Sequence, residues 1–137
     1  MVIEPLRPVH RSAAVELWHQ AGLTRPWNDP GDDLDRALDG SASTVLAAIE
    51  GDALIATAMV GHDGHRGWVY YLAVRADARG RGCGRAMMQA AEAWLSERGI
   101  PKLNVMVRGD NAGARGFYAA LGYDVDDVVV LSRRLRR

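Results

Sequence analysis

Seven residues constrain the fold more than any others: Arg79 to Arg85, reading RGRGCGR. They follow the β-branched and aromatic run Trp68–Val74 and precede an amphipathic stretch, 85–98, with Met88, Ala91 and Leu95 on one face. A strand, a tight turn and a helix in that order imply a βα unit. Gly80, Gly82 and Gly84 let the backbone turn without a Cβ in the way. Successive amides there, backed by a helix N-terminus, form a concavity that attracts anions. Arg75, Arg79, Arg81 and Arg85 surround it with only Asp77 opposing, a local charge of +3 over residues 75–85. The alternative is a solvated loop with scattered arginines, but its place between strand and helix favours a phosphate-bearing ligand. A P-loop would need Gly-Lys-Ser/Thr, and a dinucleotide fingerprint would need G-x-G-x-x-G in a first βαβ unit. Neither pattern is present.

The remaining periodicities place other elements around this unit. Residues 2–7 read as a strand, and Ser12 as the cap of a helix presenting Ala14, Val15, Trp18 and Ala21. After the loop 22–28, Asp29 and Pro30 read as N-cap and first residue of a helix ended by Gly40. Strands 44–49 and 53–60 flank a Gly51-Asp52 hairpin turn, and GHDGHRG at 61–67 forms a further turn. Gly99 and Pro101 stop the long helix. Leu103, Val105 and Val107 alternate on a strand, 111–121 is a helix stopped at Gly122, and 125–135 is a β-prone tail. The order β-α-α-β-β-β-α-β-α-β predicts an α/β (α+β) fold, a mixed sheet flanked by helices with a parallel strand–helix–strand unit at 68–107.

Leu72-x-Val74, then Arg79-x-x-Gly82-x-Gly84, resembles the acyl-coenzyme A signature of the GNAT N-acetyltransferase superfamily. NAGARGFYAALGY, 111–123, resembles that family's second signature, at the family's usual separation. The resemblance implies a mostly antiparallel central sheet, a bulge in the strand before the loop, and a splayed cleft for acetyl-CoA. Arg79, Gly80, Arg81, Gly82, Cys83, Gly84 and Arg85 would hold the pyrophosphate, chiefly by backbone. Leu72, Ala73 and Val74 would offer strand amides to the pantetheine arm and thioester. Tyr118 would be the general acid that protonates the leaving thiolate, its reference pKa of about 10 suiting that role. Asn111 would bond the pantetheine or merely cap its helix, and Phe117 would pack against coenzyme or core.

The base is less readable, because Trp68–Val74 holds no acid. Candidates are Asp63 and His65, with His62, Tyr70 and Tyr71 nearby; for each, a plain turn or strand role is equally open. His62-x-x-His65 is too small a pair for a metal site, so no metal is expected. Asp29, Asp32, Asp33, Asp35 and Asp39 would either favour a cationic acceptor or only suit a helix N-terminus.

Composition supports these expectations. The chain has 137 residues, 48% hydrophobic and 25% charged, with seventeen basic and seventeen acidic side chains. This suits one globular domain, 1–137, with no global attraction to nucleic acid or membranes. Cys83 is the sole cysteine, so no internal disulfide forms, and a cytoplasmic protein is expected. Arg133, Arg134, Arg136 and Arg137 read as a solvated end rather than a nucleic-acid site. The expected activity is direct acetyl transfer from acetyl-CoA to a primary amine, small-molecule or peptide; a homodimer is left open. The alternative is a non-catalytic acyl-CoA-binding regulatory module.

Overall fold

The computed structural model describes residues 1–135; Arg136 and Arg137, part of the expected basic end, lie outside the described residues. The chain forms two compact units that divide after Val105. In the first, the elements are Val2–Pro5 (β1), Arg11–Gln20 (α1), Pro30–Asp39 (α2), Ser43–Glu50 (β2), Ala53–His62 (β3), Gly67–Val74 (β4), Cys83–Glu97 (α3) and Leu103–Val105 (β5). The strands lie in sequence order in one sheet. Pairs β1–β2, β2–β3 and β3–β4 are antiparallel, while β4–β5 is parallel. The second unit contains Ala112–Ala120 (α4).

Alternation along the strands sorts the core into two faces. Val45, Ala47 and Ala73 bury against Ala14, Leu17 and Trp18 of α1 and Leu34 and Ala37 of α2. The alternate residues, including Leu46, Ala58 and Val69, are also buried, as are Met87, Met88, Ala91 and Leu95 of α3. Gly67 shows how tightly α3 packs: a Cβ there would collide with the Leu95 Cδ1 and Cδ2 methyls.

Several local signals act as read from the sequence. The Asp29 side chain accepts from the Asp32 amide (3.0 Å), and Pro30 opens α2. Gly99, at φ +74°, closes α3: its amide bonds the Ser96 carbonyl and the Ile100 amide the Leu95 carbonyl, while Ile100 is buried. Four expectations need correction. Ser12 is not a cap, because a 3₁₀ turn at Pro8–His10 runs directly into α1. Helix α3 starts at Cys83 rather than Arg85, since Gly82 enters it at φ +80°. Strand β5 ends at Val105, short of Val107. The β-prone tail forms no strand among the described residues: Val125, Val128, Val129 and Leu131 are exposed. Strand propensity needs a paired neighbour, and residues 106–135 contain no other strand.

The sheet's main irregularity is in β4. Met59 pairs with Tyr70, but Thr57 pairs with Ala73, so two residues of β3 oppose three of β4. The surplus is a β-bulge at Tyr71, the one non-glycine residue with positive φ (+52°) among those described. A buried network holds it. Trp18 Nε1–H donates to Thr57 Oγ1 (2.8 Å), and Thr57 Oγ1–H donates to the Tyr71 carbonyl (2.9 Å). Trp18 and Thr57 are fully buried. The Trp18 and Tyr71 rings stack with centroids 4.0 Å apart and planes 19° from parallel.

Two stability measurements check this picture. Thr57→Val leaves an indole N–H and a carbonyl unpaired in the core, so chemical denaturation should show a loss of about 1–3 kcal/mol, whereas Thr57→Ser should retain most of it. Gly67→Ala should cost about 1–3 kcal/mol by overpacking. Combined with Leu95→Ala it should cost less than the sum of the two single changes, because the colliding methyls are gone.

Candidate functional site

The bulge changes what β4 presents. Paired residues of an antiparallel ladder share a face, so Trp68 (opposite Gly61), Tyr70 (opposite Met59) and Ala73 (opposite Thr57) lie on one side. The extra residue breaks the two-residue alternation. Tyr70 and Tyr71, which would otherwise point apart, both line a cavity on the α1/α2 side. Along the other edge of β4, the parallel ladder ends at Val69↔Val105. From Tyr70 to Val74 the strand therefore has β3 as its only ladder partner among the described residues, and one edge of Leu72–Val74 is left unpaired by the sheet. Leu72 and Val74 are half-buried and Ala73 is buried.

Beyond Val74 a 3₁₀ turn, Ala76–Ala78, leads into the glycine loop. Gly80 and Gly82 adopt left-handed φ of +77° and +80°, with open space where a Cβ would stand. No side chain caps α3, so the amides of its first turn, Cys83 to Arg85, are left without an intrahelical or capping partner. Cys83 contributes only backbone there, because its side chain is 4% exposed. Arg79, Arg81 and Arg85 are exposed. The collar is partly neutralised: Arg75 pairs with Asp77 (2.6 Å) and Arg81 with Glu50 (3.3 Å). Among the described residues, Arg79 and Arg85 form no ion pair.

The cavity, about 720 Å³, is walled by Met59, Trp68, Tyr70 and Tyr71 from the sheet and by Asp33 and Arg36 from α2. Tyr71 Oη donates to Asp33 Oδ2 (2.7 Å), and Arg36 Nη2 donates to Asp33 Oδ1 (2.5 Å). Burial raises the Tyr71 phenol above its ordinary value and the Asp33 carboxylate raises it further; Tyr70 is raised by burial alone. Other members of the acidic stretch are engaged elsewhere, Asp29 as a cap and Asp35 in a bidentate pair with Arg11 (2.9 Å for both bonds).

The turn residues take structural positions. Asp63 Oδ1 accepts from the His65 and Arg66 amides (2.8 Å each), and those bonds hold its carboxyl below the usual range. His62 Nδ1 accepts from the Gly64 amide (3.0 Å), so its neutral ring carries the proton on Nε2. The exposed His65 ring stands 3.4 Å from Arg66 Nη1. Among the described residues, no group of three or more His, Cys, Asp or Glu could hold a metal ion.

In the second unit, Asn111 Oδ1 accepts from the Ala114 amide (3.0 Å) and so caps α4. Gly122, at φ +90°, closes the helix: its amide bonds the Ala119 carbonyl and the Tyr123 amide the Tyr118 carbonyl (3.0 Å each). That closure brings Tyr123 near Tyr118, tilted 60° with centroids 5.7 Å apart, and Phe117 meets Tyr118 edge-on at 5.0 Å. Tyr118 is half-buried, which raises its phenol.

Sequence reasoning missed Trp18 and Thr57 as shapers of the site, and it saw Asp33 only as one of five acids. Trp18 and Thr57 are 39 residues apart, Asp33 and Tyr71 38. No spacing rule links such pairs.

Residues 12–123 match the family model described as Acetyltransferase (GNAT) family. The chain is 44% identical over 119 residues to an acetyltransferase of Yersinia enterocolitica, covering 87% of this chain and 84% of that one. It is 40% identical over 135 residues to an acetyltransferase of Pectobacterium atrosepticum, covering 98% and 96%. Two solved structures share the fold at low identity. The aminoglycoside N-acetyltransferase AAC(6')-Iy in complex with CoA superposes with TM-score 0.81 at 17% identity, over 98% and 95% of the chains. An aminoglycoside acetyltransferase from an uncultured soil metagenomic sample, in complex with sisomicin, gives 0.80 at 16%, over 98% and 96%. With its sheet, bulge and glycine loop, the chain belongs to the acetyltransferase (GNAT) family.

Proposed function

We propose that this protein is an N-acetyltransferase that moves the acetyl group of acetyl-CoA directly onto a primary amine, with residues 1–137 working as one catalytic domain in the cytoplasm. The observation that carries this reading is the unpaired edge of Leu72–Val74 running into a left-handed glycine loop and an uncapped helix N-terminus. An extended amide-bearing arm can add to such an edge, and a pyrophosphate can meet the amides at 79–85. Arg79 and Arg85 supply cationic charge beside those amides.

In the proposed reaction the amine nitrogen attacks the thioester carbonyl carbon, and an amide of Leu72–Val74 stabilises the oxyanion. The carbon–sulfur bond breaks, and Tyr118 gives its phenolic proton to the leaving thiolate. Burial favours this role, since it keeps the phenol protonated throughout the neutral range. Asn111 and Phe117 lie on the same helix segment, Asn111 holding its first turn and Phe117 packing edge-on against Tyr118. Tyr71 and Arg36 engage both oxygens of Asp33, and backbone amides hold the Asp63 carboxyl low and so weakly basic, so in this reading the acceptor ammonium loses its proton to water before attack. His65 is the competing base.

Four outcomes test this reading. Tyr118→Phe should lower kcat by about 10² to 10⁴ while acetyl-CoA binding, measured by calorimetry, stays unchanged. In the unaltered protein, the raised phenol predicts no alkaline fall in kcat below about pH 10, while kcat/KM climbs with pH as the free amine accumulates. An acidic limb in the rate profile that disappears in His65→Ala would instead make His65 the base. Tight acetyl-CoA binding with no thiol release on any amine would favour the regulatory-module alternative.

A further inference from the structure

The cavity walls point to a particular kind of acceptor. Three aromatic side chains, Trp68, Tyr70 and Tyr71, line one pocket with Met59, because the bulge brings both tyrosines to the same side of the sheet. Tyr70 remains 45% exposed, an uncovered ring surface at the wall. Such faces bind flat apolar groups and attract a neighbouring cation.

The charged groups narrow the choice. Two carboxylates line the cavity and both have partners: Asp33 accepts from Tyr71 Oη and Arg36 Nη2, and Asp63 accepts from two backbone amides. Arg36 places a guanidinium in the same wall. A ligand with one positive charge meets a weakly negative, aromatic surface. A ligand with four or five charges meets only the second oxygen of Asp63 as an unengaged acceptor for its further ammonium groups, because Arg36 already takes up the charge of Asp33. Size does not discriminate, since about 720 Å³ would admit either kind.

We propose that the acceptor is a small primary amine carrying a single positive charge on a flat aromatic or apolar body, and not a polycationic aminosugar. This rests on the acetyl-transfer reading above, and it departs from the substrate class of the aminoglycoside acetyltransferases that share the fold. Tyr70 then acts as a specificity-determining wall.

The test uses the full chain with saturating acetyl-CoA and three probes: 2-phenylethylamine, spermidine and kanamycin. Thiol release gives kcat/KM, mass analysis of the product confirms transfer, and calorimetry on the CoA-loaded protein gives amine affinity independently of turnover. The expected result is a kcat/KM for 2-phenylethylamine at least tenfold above the other two. Tyr70→Ala should raise its KM about tenfold with little change in kcat, and Tyr70→Phe should restore it. Turnover with spermidine or kanamycin equal or superior overturns the inference while leaving acetyl transfer intact. Tenfold preferential binding of 2-phenylethylamine without turnover of any probe upholds the recognition and counts against the transfer reading. Failure to bind any of the three overturns the inference and leaves acetyl transfer to be judged by the wider amine test above.

Discussion

The Thr57 hydroxyl is the group on which the geometry of the site depends. It lies between β3 and the bulge, accepting from the Trp18 indole and donating to the Tyr71 carbonyl, with no solvent access. A left-handed tyrosine costs roughly 1–2 kcal/mol. Two buried hydrogen bonds contribute about 0.5–1.5 kcal/mol each and the Trp18–Tyr71 stack a similar amount. The network can therefore hold a backbone conformation that Tyr71 would otherwise avoid. The same bulge turns Tyr71 toward the cavity and is followed by the residues whose outer edge is free of a strand partner. Both halves of the proposed chemistry, coenzyme arm and acceptor, are thereby set by one buried threonine. Asp33 extends the network to α2 through the Tyr71 phenol, so the wall of the cavity and the bulge share a hydrogen bond.

Local charge follows a similar logic. The chain is neutral in total, yet the arginines of 75–85 and the aspartates of 29–39 form separate clusters. Ion pairs take up Arg75, Arg81 and Asp35, and these pairs are exposed. Exposed pairs are weakly held and readily exchanged for a better partner. The glycine loop can still receive an anion, because its amides and Arg79 and Arg85 keep their capacity. The acidic stretch is different. Within it, only Asp33 reaches the cavity wall, and Tyr71 and Arg36 already occupy its oxygens.

Much of this was legible along the chain. The Asp29-Pro30 start of α2, the Gly99 and Gly122 helix stops, the hairpin turn at Gly51 and the strand–loop–helix around 68–98 each depend on neighbours within a few residues. Short-range steric and capping rules suffice for those. The errors share one cause, which is that β structure is settled by partners. The valine-rich tail reads as a strand but has no ladder to join, and β5 stops two residues before Val107 although the alternation continues. Ser12 has the right chemistry for a cap, but Pro8–His10 delivers the chain into α1 before it.

The family, the order of elements through α4 and the position of the glycine loop were all readable from residue order alone. Those features are encoded in residue types at fixed short spacings. The face that Tyr71 takes, the place where the β4 edge opens and the bonding of the cavity's carboxylates came from the folded packing. These properties arise from contacts between residues nearly forty positions apart, Trp18 with Thr57 and Asp33 with Tyr71. Such contacts exist only after the sheet has paired and the helices have closed over it, so no local pattern could announce them.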